Sequence, residues 1–470
     1  MPPIVKGPLM KKLFLPVLCT ALSFLCYSQQ TYYYTDPAEK FNQAKEFFQK
    51  GEYSLAYPLF RELQQSLTES DRINRPVVAQ EITYYSIASA LMQNESRAEQ
   101  EALDYIELTR NNARVQMMSF QLAEYYFRQN RFSDAVSLYE QANISNLNNR
   151  EVADMKFHEG YSYFTMQQFA KAKPLFDAIR QIKDDPNYID ANYYYGFIAF
   201  RERNYNQALE SFRVVENEPT YEAIVPYYIA QIYYVQGRKD EAVAYAENKI
   251  RQGKAQYYDL ELKQLLGHAY FEKKDYAKAA TYLGDYVNRS TKVRREDLYE
   301  VSYAYYQSAQ YAKAIEGFKQ LSGKEDSLSQ HAMYLLGDSY LKTGQKPNAR
   351  NAFLFSASNN SNLVQREISR FNYAKLSYEL GYQDEALKGL RSFLSDYPSS
   401  TYREEATELL VGALANTNNY NDALTLLEGI QTPSANVRRL MPRILYGRAT
   451  ELINDGRLAE ANALLDRALK

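Results

Sequence analysis

The chain lacks most of the residues that carry catalysis or crosslinks. It has no tryptophan, three histidines and two cysteines in 470 residues. His158, His268 and His331 lie in distant parts of the sequence. His158 is followed by Glu159, but no second histidine stands four residues on, so the zinc-protease spacing fails. The stretch from Gly317 to Gly323 and Lys324 is a near miss for a phosphate loop. It has one residue too many between the glycines, and Glu325 stands where Ser or Thr would hold magnesium. Neither charge sign dominates: 55 basic against 57 acidic residues leave a formal charge of -2. Nucleic acid needs a concentrated basic surface, so it is excluded as a partner. After the first residues there is no run of about 18 apolar residues, and no transmembrane segment is expected. These absences predict no enzyme activity, no metal site and no cofactor.

Both cysteines, Cys19 and Cys26, belong to the N-terminus. There Lys11 and Lys12 precede an apolar run over residues 13–25, too short to span a bilayer and of the length of a secretory core. Cys26, Tyr27 and Ser28 then place small residues where a signal peptidase cuts. Residues 1–28 therefore read as a signal peptide, with Met10 a candidate start and Gln29 the new N-terminus. Neither cysteine follows a small residue, which disfavours lipidation. The mature chain would have no cysteine, so no disulfide or thiolate metal site, and its stability must come from packing. The expected place is the periplasm, or association with the outer membrane.

What the chain has is tyrosine, 45 of them, and a recurring skeleton. YFRQNRFSDAVSLYEQA at residues 126–142 and YFTMQQFAKAKPLFDAI at residues 163–179 share Tyr, an aromatic six later, Ala three later and an aromatic four later, with little else in common. A shared skeleton with free filling is the mark of a packing rule. Followed along the chain, its small residue is Ala56, Ala98, Ala135, Ala172, Ala208, Ala242, Ala279, Ala314, Ala349, Ala386, Ala423 and Ala461. Twelve units at about 37 residues make a repeat architecture; the unit around Ala98 is the degenerate one. Twelve residues before the alanine stands another small residue, such as Ala44, Ala123, Gly160, Gly196, Gly267, Ser302 or Gly337. Small residues let two helices approach, and the spacings of 3, 4 and 7 keep them on one stripe. A turn lies between, often with glycine, as at Gly51, Gly237, Gly344, Gly381 and Gly456.

The order small, Tyr, Gly, aromatic, Ala, aromatic resembles the tetratricopeptide repeat family. The residues that carry it include Ala44, Phe47, Gly51, Tyr53, Ala56 and Phe60. The resemblance implies an all-α fold, a right-handed superhelix of about twelve helix-turn-helix repeats with a concave inner face. Residues 29–110 would hold N-terminal repeats including the degenerate one, and residues 111–470 a regular array. Locally, residues 393–412 resemble the linker of bacterial outer-membrane assembly lipoproteins and of the periplasmic coordinator associated with Tol-Pal. The matching residues are Phe393, Tyr397, Pro398, Ser399, Tyr402, Glu405 and Ala406.

The resemblance implies that first helices line the groove. The rings expected there are Phe120 and Phe127, Phe157 and Phe164, Tyr193 and Phe200, Tyr227 and Tyr234, Tyr299 and Tyr306, with Tyr334. Phe41 and Phe48, and Phe371 and Tyr378, repeat the spacing, with Tyr161, Phe197 and Tyr303 between such pairs. They serve either as a partner-binding surface or as packing between repeats. The tyrosine run at 193–195 favours the first reading, because three consecutive rings should not all enter a core. Some family members grip a C-terminal carboxylate with Lys and Asn; here only Lys45 and Lys375 occupy such positions, so that partner is not expected. The leading expectation is a protein-binding scaffold. A glycan- or peptidoglycan-binding module and an accessory subunit of an envelope assembly or transport complex are the alternatives. An apolar stripe of Leu464, Leu465, Ala468 and Leu469 suggests that a partner, a second copy or a continuation covers the C-terminal end.

Overall fold

The computed structural model describes residues 36–469; the signal peptide expected at residues 1–28 lies outside them. Among the described residues there are helices and no strand. They divide into two compact units, one up to Ile232 and one from Tyr233. In the first unit the helices are α1 (Pro37–Gln49), α2 (Tyr53–Ser66), α3 (Glu69–Asn74), α4 (Pro76–Gln93), α5 (Ala98–Leu108), α6 (Asn112–Arg128), α7 (Phe132–Tyr139), α8 (Asn149–Thr165), α9 (Phe169–Ile179), α10 (Tyr188–Arg201) and α11 (Tyr205–Val215). The division falls within α12 (Val225–Val235). The second unit continues with α13 (Lys239–Arg251), α14 (Asp259–Glu272), α15 (Tyr276–Arg289), α16 (Arg295–Gln307), α17 (Tyr311–Lys319), α18 (Ser327–Lys342) and α19 (Lys346–Ser358). It ends with α20 (Leu363–Glu379), α21 (Gln383–Asp396), α22 (Arg403–Asn416), α23 (Tyr420–Glu428), α24 (Ala435–Asn454) and α25 (Leu458–Ala468). Within each unit the helices pack in chain order on near neighbours in sequence, with α2 against α4 past the short α3. Each is an α-α solenoid of helix pairs, and α3 is an added short helix between the first two pairs.

The alanine series shows why the pairs form. Ala56, Ala135, Ala172, Ala208, Ala242, Ala279, Ala314, Ala349, Ala386, Ala423 and Ala461 are each the fourth residue of a second helix, with no exposed surface. Facing them, Ala44, Ala123, Ala374 and Ala449 on first helices are equally buried. Four residues on, Phe60, Tyr139, Phe176, Phe212, Phe318 and Phe353 fill the space beside the contact. Small against small brings the axes together, and the ring occupies the adjoining hole. In the degenerate unit Ala98 opens α5 instead, but it is buried, and Ser86 on α4 supplies the small partner.

The turns explain that exception. In eleven pairs the residue five before the alanine has a left-handed backbone. Five of these are the glycines named above; the others are Asn130, Gln167, Arg203, Lys274, Ala309 and Asn418. In the degenerate unit the left-handed residue is Asn94, four before Ala98, so its second helix starts in a different register. A left-handed alanine costs about 1 kcal/mol, which glycine avoids. Ala309→Gly is therefore expected to stabilise the protein by about 0.5–1 kcal/mol, measured as a rise in the urea midpoint. An unchanged or lower midpoint would contradict the assignment of this strain.

Candidate ring-lined face

The rings expected in the groove divide into two sets. Phe120, Phe157, Phe164 and Tyr193 are buried. Phe127, Phe200, Tyr227, Tyr234, Tyr299, Tyr306 and Tyr334 are half-exposed. The tyrosine run corrects the sequence reading: Tyr193, Tyr194 and Tyr195 are 0, 3 and 3% exposed. Helix α10 is covered on more than one side. Tyr193 stacks on Tyr221 at 4.2 Å, Tyr194 on Phe176 at 5.3 Å, and the Arg180 guanidinium lies 4.0 Å over Tyr195. A solenoid helix touches the pair before and the pair after, so three adjacent ring directions all meet protein. Phe164 is likewise held, 4.8 Å from Tyr194 and 5.6 Å from Phe197.

The half-exposed rings are tied to the following pair as well. Tyr234 donates to Glu272 at 2.9 Å and Tyr306 to Asp338 at 2.7 Å, and the Tyr299 hydroxyl is hydrogen-bonded to His331 Nδ1 at 2.7 Å. These partners sit 32 to 38 residues apart, one repeat on. Burial raises the pKa of all three phenols, so they stay protonated. Phe127 stacks on His158 at 4.0 Å, and His158 Nδ1 lies 2.9 Å from the Glu124 carboxylate. In the second unit Phe271, Tyr276 and Tyr303 form an edge-to-face triad with centroids 5.6 to 5.8 Å apart. What remains open to solvent is therefore ring edges and faces, with carboxylates between them.

The histidines are engaged one by one. His268 bonds Asp297 and Glu300 at 3.0 and 2.5 Å, while His331 Nδ1 shares a hydrogen bond with the Tyr299 hydroxyl. Burial pushes the His268 pKa down, but its two carboxylate partners outweigh that and raise it to about 9. Burial lowers His331. Among the described residues no group of three His, Cys, Asp or Glu side chains is placed to hold a metal ion. No described helix is long and apolar enough to cross a membrane. Lys375 bonds Glu405 at 2.6 Å, and Lys45 lies 5.6 Å from the Tyr85 ring.

A buried polar centre around Asp297 escaped the sequence reading. Asp297 has no exposed surface. It receives Arg294 at 2.7 Å, Gln264 at 2.9 Å, His268 at 3.0 Å and Tyr286 at 3.3 Å. Burial raises its carboxyl, yet His268 and Arg294 hold it well below the usual carboxylate range. Nothing in a repeat alignment marks this aspartate, because its partners come from two other helices, α14 and α15, and from Arg294 in the loop before α16.

Comparison with known proteins supports the repeat reading. Residues 264–418 match a family described as outer membrane lipoprotein, and residues 120–187 match a tetratricopeptide repeat. No curated protein matches the chain. Among solved structures, a tetratricopeptide repeat protein from Parabacteroides merdae is 14% identical, covering 57% of this chain and 98% of its own, with TM-score 0.30. The C-terminal part of a repeat-containing protein from Cytophaga hutchinsonii is 14% identical over 61% of this chain and 98% of its own, with TM-score 0.34. The TPR2AB domain of yeast Sti1, in a complex with pHSP90, is 16% identical over 60% and 98%, with TM-score 0.30. The chain thus carries tetratricopeptide repeats, and from residue 264 to residue 418 it is similar to an outer membrane lipoprotein family.

Proposed function

We propose that the chain is a non-catalytic, exported protein–protein interaction scaffold of the bacterial cell envelope, which holds a segment of a protein partner against the rings of its first helices. The observation that carries this reading is the match of residues 264–418 to an outer membrane lipoprotein family. The basic and apolar N-terminus at residues 11–28 supports export to the periplasm or the outer membrane. The tetratricopeptide match supports a protein as the partner. In the first unit Phe127, Phe200 and Tyr227 offer contact surface, with the buried Phe120, Phe157, Phe164 and Tyr193 holding the helices beneath them; in the second unit Tyr234, Tyr299, Tyr306 and Tyr334 do so.

Two measurements test the reading. Cell fractionation with N-terminal sequencing should find the protein in the envelope fraction, beginning at Gln29. A photo-crosslinking residue in place of Tyr303 or Tyr334, both half-exposed on first helices of the second unit, should capture one and the same protein. The same residue in place of Lys388, exposed on the second helix α21, should not. Equal capture at all three positions, or a cytoplasmic, uncleaved chain, would refute the proposal.

A further inference from the structure

One helix face carries cations that the protein does not neutralise. Between Glu428 and Glu451 the sequence holds four arginines and no acidic residue, in a chain whose two charge signs otherwise nearly balance. All four stand on α24. Arg448 is paired with Glu451 at 2.8 Å. Arg438, Arg439 and Arg443 are exposed and, among the described residues, form no ion pair; Arg443 reaches only the Asn416 side-chain oxygen, at 3.4 Å. Carboxylates on the helices packed against α24 are committed elsewhere. On α22, Glu405 holds Lys375 at 2.6 Å and Glu408 accepts from the Ser434 backbone N–H at 2.9 Å. On α23, Asp422 holds Arg391 and Glu428 holds Arg467, both at 2.8 Å.

Helix periodicity gathers the free cations into a stripe. Val437, Ile444, Leu445, Ala449 and Leu452 are buried. Arg439, Arg443, Tyr446 and Thr450, at steps of four, three and four, lie on the opposite face and are all exposed. The stripe is about 16 Å long. Tyr446 is 64% exposed. It stands three residues before the small residue Ala449, as Tyr299 and Tyr334 stand before Ser302 and Gly337 in the same unit.

We propose that this stripe docks an acidic, extended segment of a protein partner, with carboxylates at alternate residues on Arg439 and Arg443 and an apolar or aromatic residue on Tyr446. The inference rests on the reading of the first helices as the partner-binding face. The spacing supports it. One helical turn separates the two arginine Cβ atoms by about 5–6 Å, and alternate residues of an extended chain lie about 6–7 Å apart on one side. Guanidinium groups take carboxylates in paired hydrogen bonds, and the tyrosine adds ring contact. A membrane surface fits less well: a helix lying on lipid buries a continuous apolar face, and α24 turns that face into the protein.

Fluorescence anisotropy on the full chain tests the site with a labelled peptide, Tyr-Ser-Glu-Ser-Glu-Ser-Tyr, whose terminal tyrosines make it indifferent to direction. The peptide should bind, and its Kd should rise about tenfold or more in the double variant Arg439→Gln, Arg443→Gln and in about 0.3 M salt. The same peptide with Gln for Glu should bind about tenfold more weakly. Both arginines are exposed, so the double variant keeps its fold. Lys388→Gln, exposed on α21, should change nothing. Absent peptide binding, equal binding by wild type and double variant, or arginine-dependent binding of phosphatidylglycerol vesicles without peptide binding overturns the proposal. Absent peptide binding beside protein capture at Tyr303 and Tyr334 removes the arginine site and leaves the scaffold reading. Peptide binding without that capture sinks the ring-face reading and keeps the arginine site.

Discussion

Replacing Asp297 by alanine is expected to destabilise the second unit by about 3–5 kcal/mol at neutral pH. The carboxylate is wholly buried and is the common acceptor for His268, Arg294, Gln264 and Tyr286. Removing it leaves the His268 cation without one of its two carboxylates and the Gln264 amide without its acceptor in a place water does not reach. Arg294 is more than half exposed and can turn to solvent, so it adds little to the loss. Asp297→Asn keeps the volume and some hydrogen bonds, and should lose about half as much. The pH profile separates this account from a simple packing defect. His268 is raised above its ordinary 6.5 to about 9, so its contribution is complete below about 6.5 and is lost as pH rises through about 9. Asp297 is lowered, so its contribution is present above the ordinary 3.8 and lost in acid. Wild-type urea midpoints should therefore fall between about pH 6.5 and about pH 9.5, and fall much less in Asp297→Ala. A loss under about 1 kcal/mol, or an unchanged pH slope, would mean the network is decorative.

Such a centre shows where sequence reading stops. The alanine series was legible because close helix contact admits few residue types, and that demand recurs every repeat. The turns were legible only where glycine marks them. At Gln167, Arg203, Lys274 and Ala309 the same left-handed turn is imposed by the packing of the pair, and the local cost of about 1 kcal/mol is overridden. The second pair was the weak one because Asn94 sets its turn one residue late, and the partner serine at 86 hides the small-residue signal. The linker at residues 393–412 was recognisable because its residues are structural. Tyr397 packs 5.2 Å from Phe393, Tyr402 stacks 4.6 Å from Phe371, and Ala406 is buried. Ring placement was not legible. Whether Tyr193 meets a partner or the next helix depends on what stands one repeat away, and Tyr221, which covers it, belongs to a loop with no periodic signal.

Gly267→Ala is expected to destabilise the second unit by about 1–3 kcal/mol, although alanine is the better helix former. The glycine lies on α14 where α15 crosses it. An added methyl would come within 2.7 Å of Leu283 Cδ2 and 3.1 Å of the Leu283 backbone nitrogen. The side chain could move, but the backbone atom cannot without shifting α15, and Leu283 is fully buried. The clash therefore outweighs the gain of about 1 kcal/mol in helix propensity. Leu283→Ala alone should cost about 2–5 kcal/mol, through lost burial and the cavity it leaves. The double variant should be less destabilised than the two losses added, by about 1 kcal/mol or more, because the new methyl enters the space the leucine vacates. Gly160→Ala supplies the contrast within the same repeat position. Its nearest neighbours would be Leu175 Cβ and the edge of Phe176, both at 3.2 Å, with no backbone atom in the way. A shift of a few tenths of an ångström relieves that contact, and the net change should stay within about 1 kcal/mol. Urea unfolding of the four variants beside wild type decides the matter. Additive losses at 267 and 283, or a Gly160 variant as damaged as the Gly267 one, would show that helix approach at these glycines is looser than the backbone distances say.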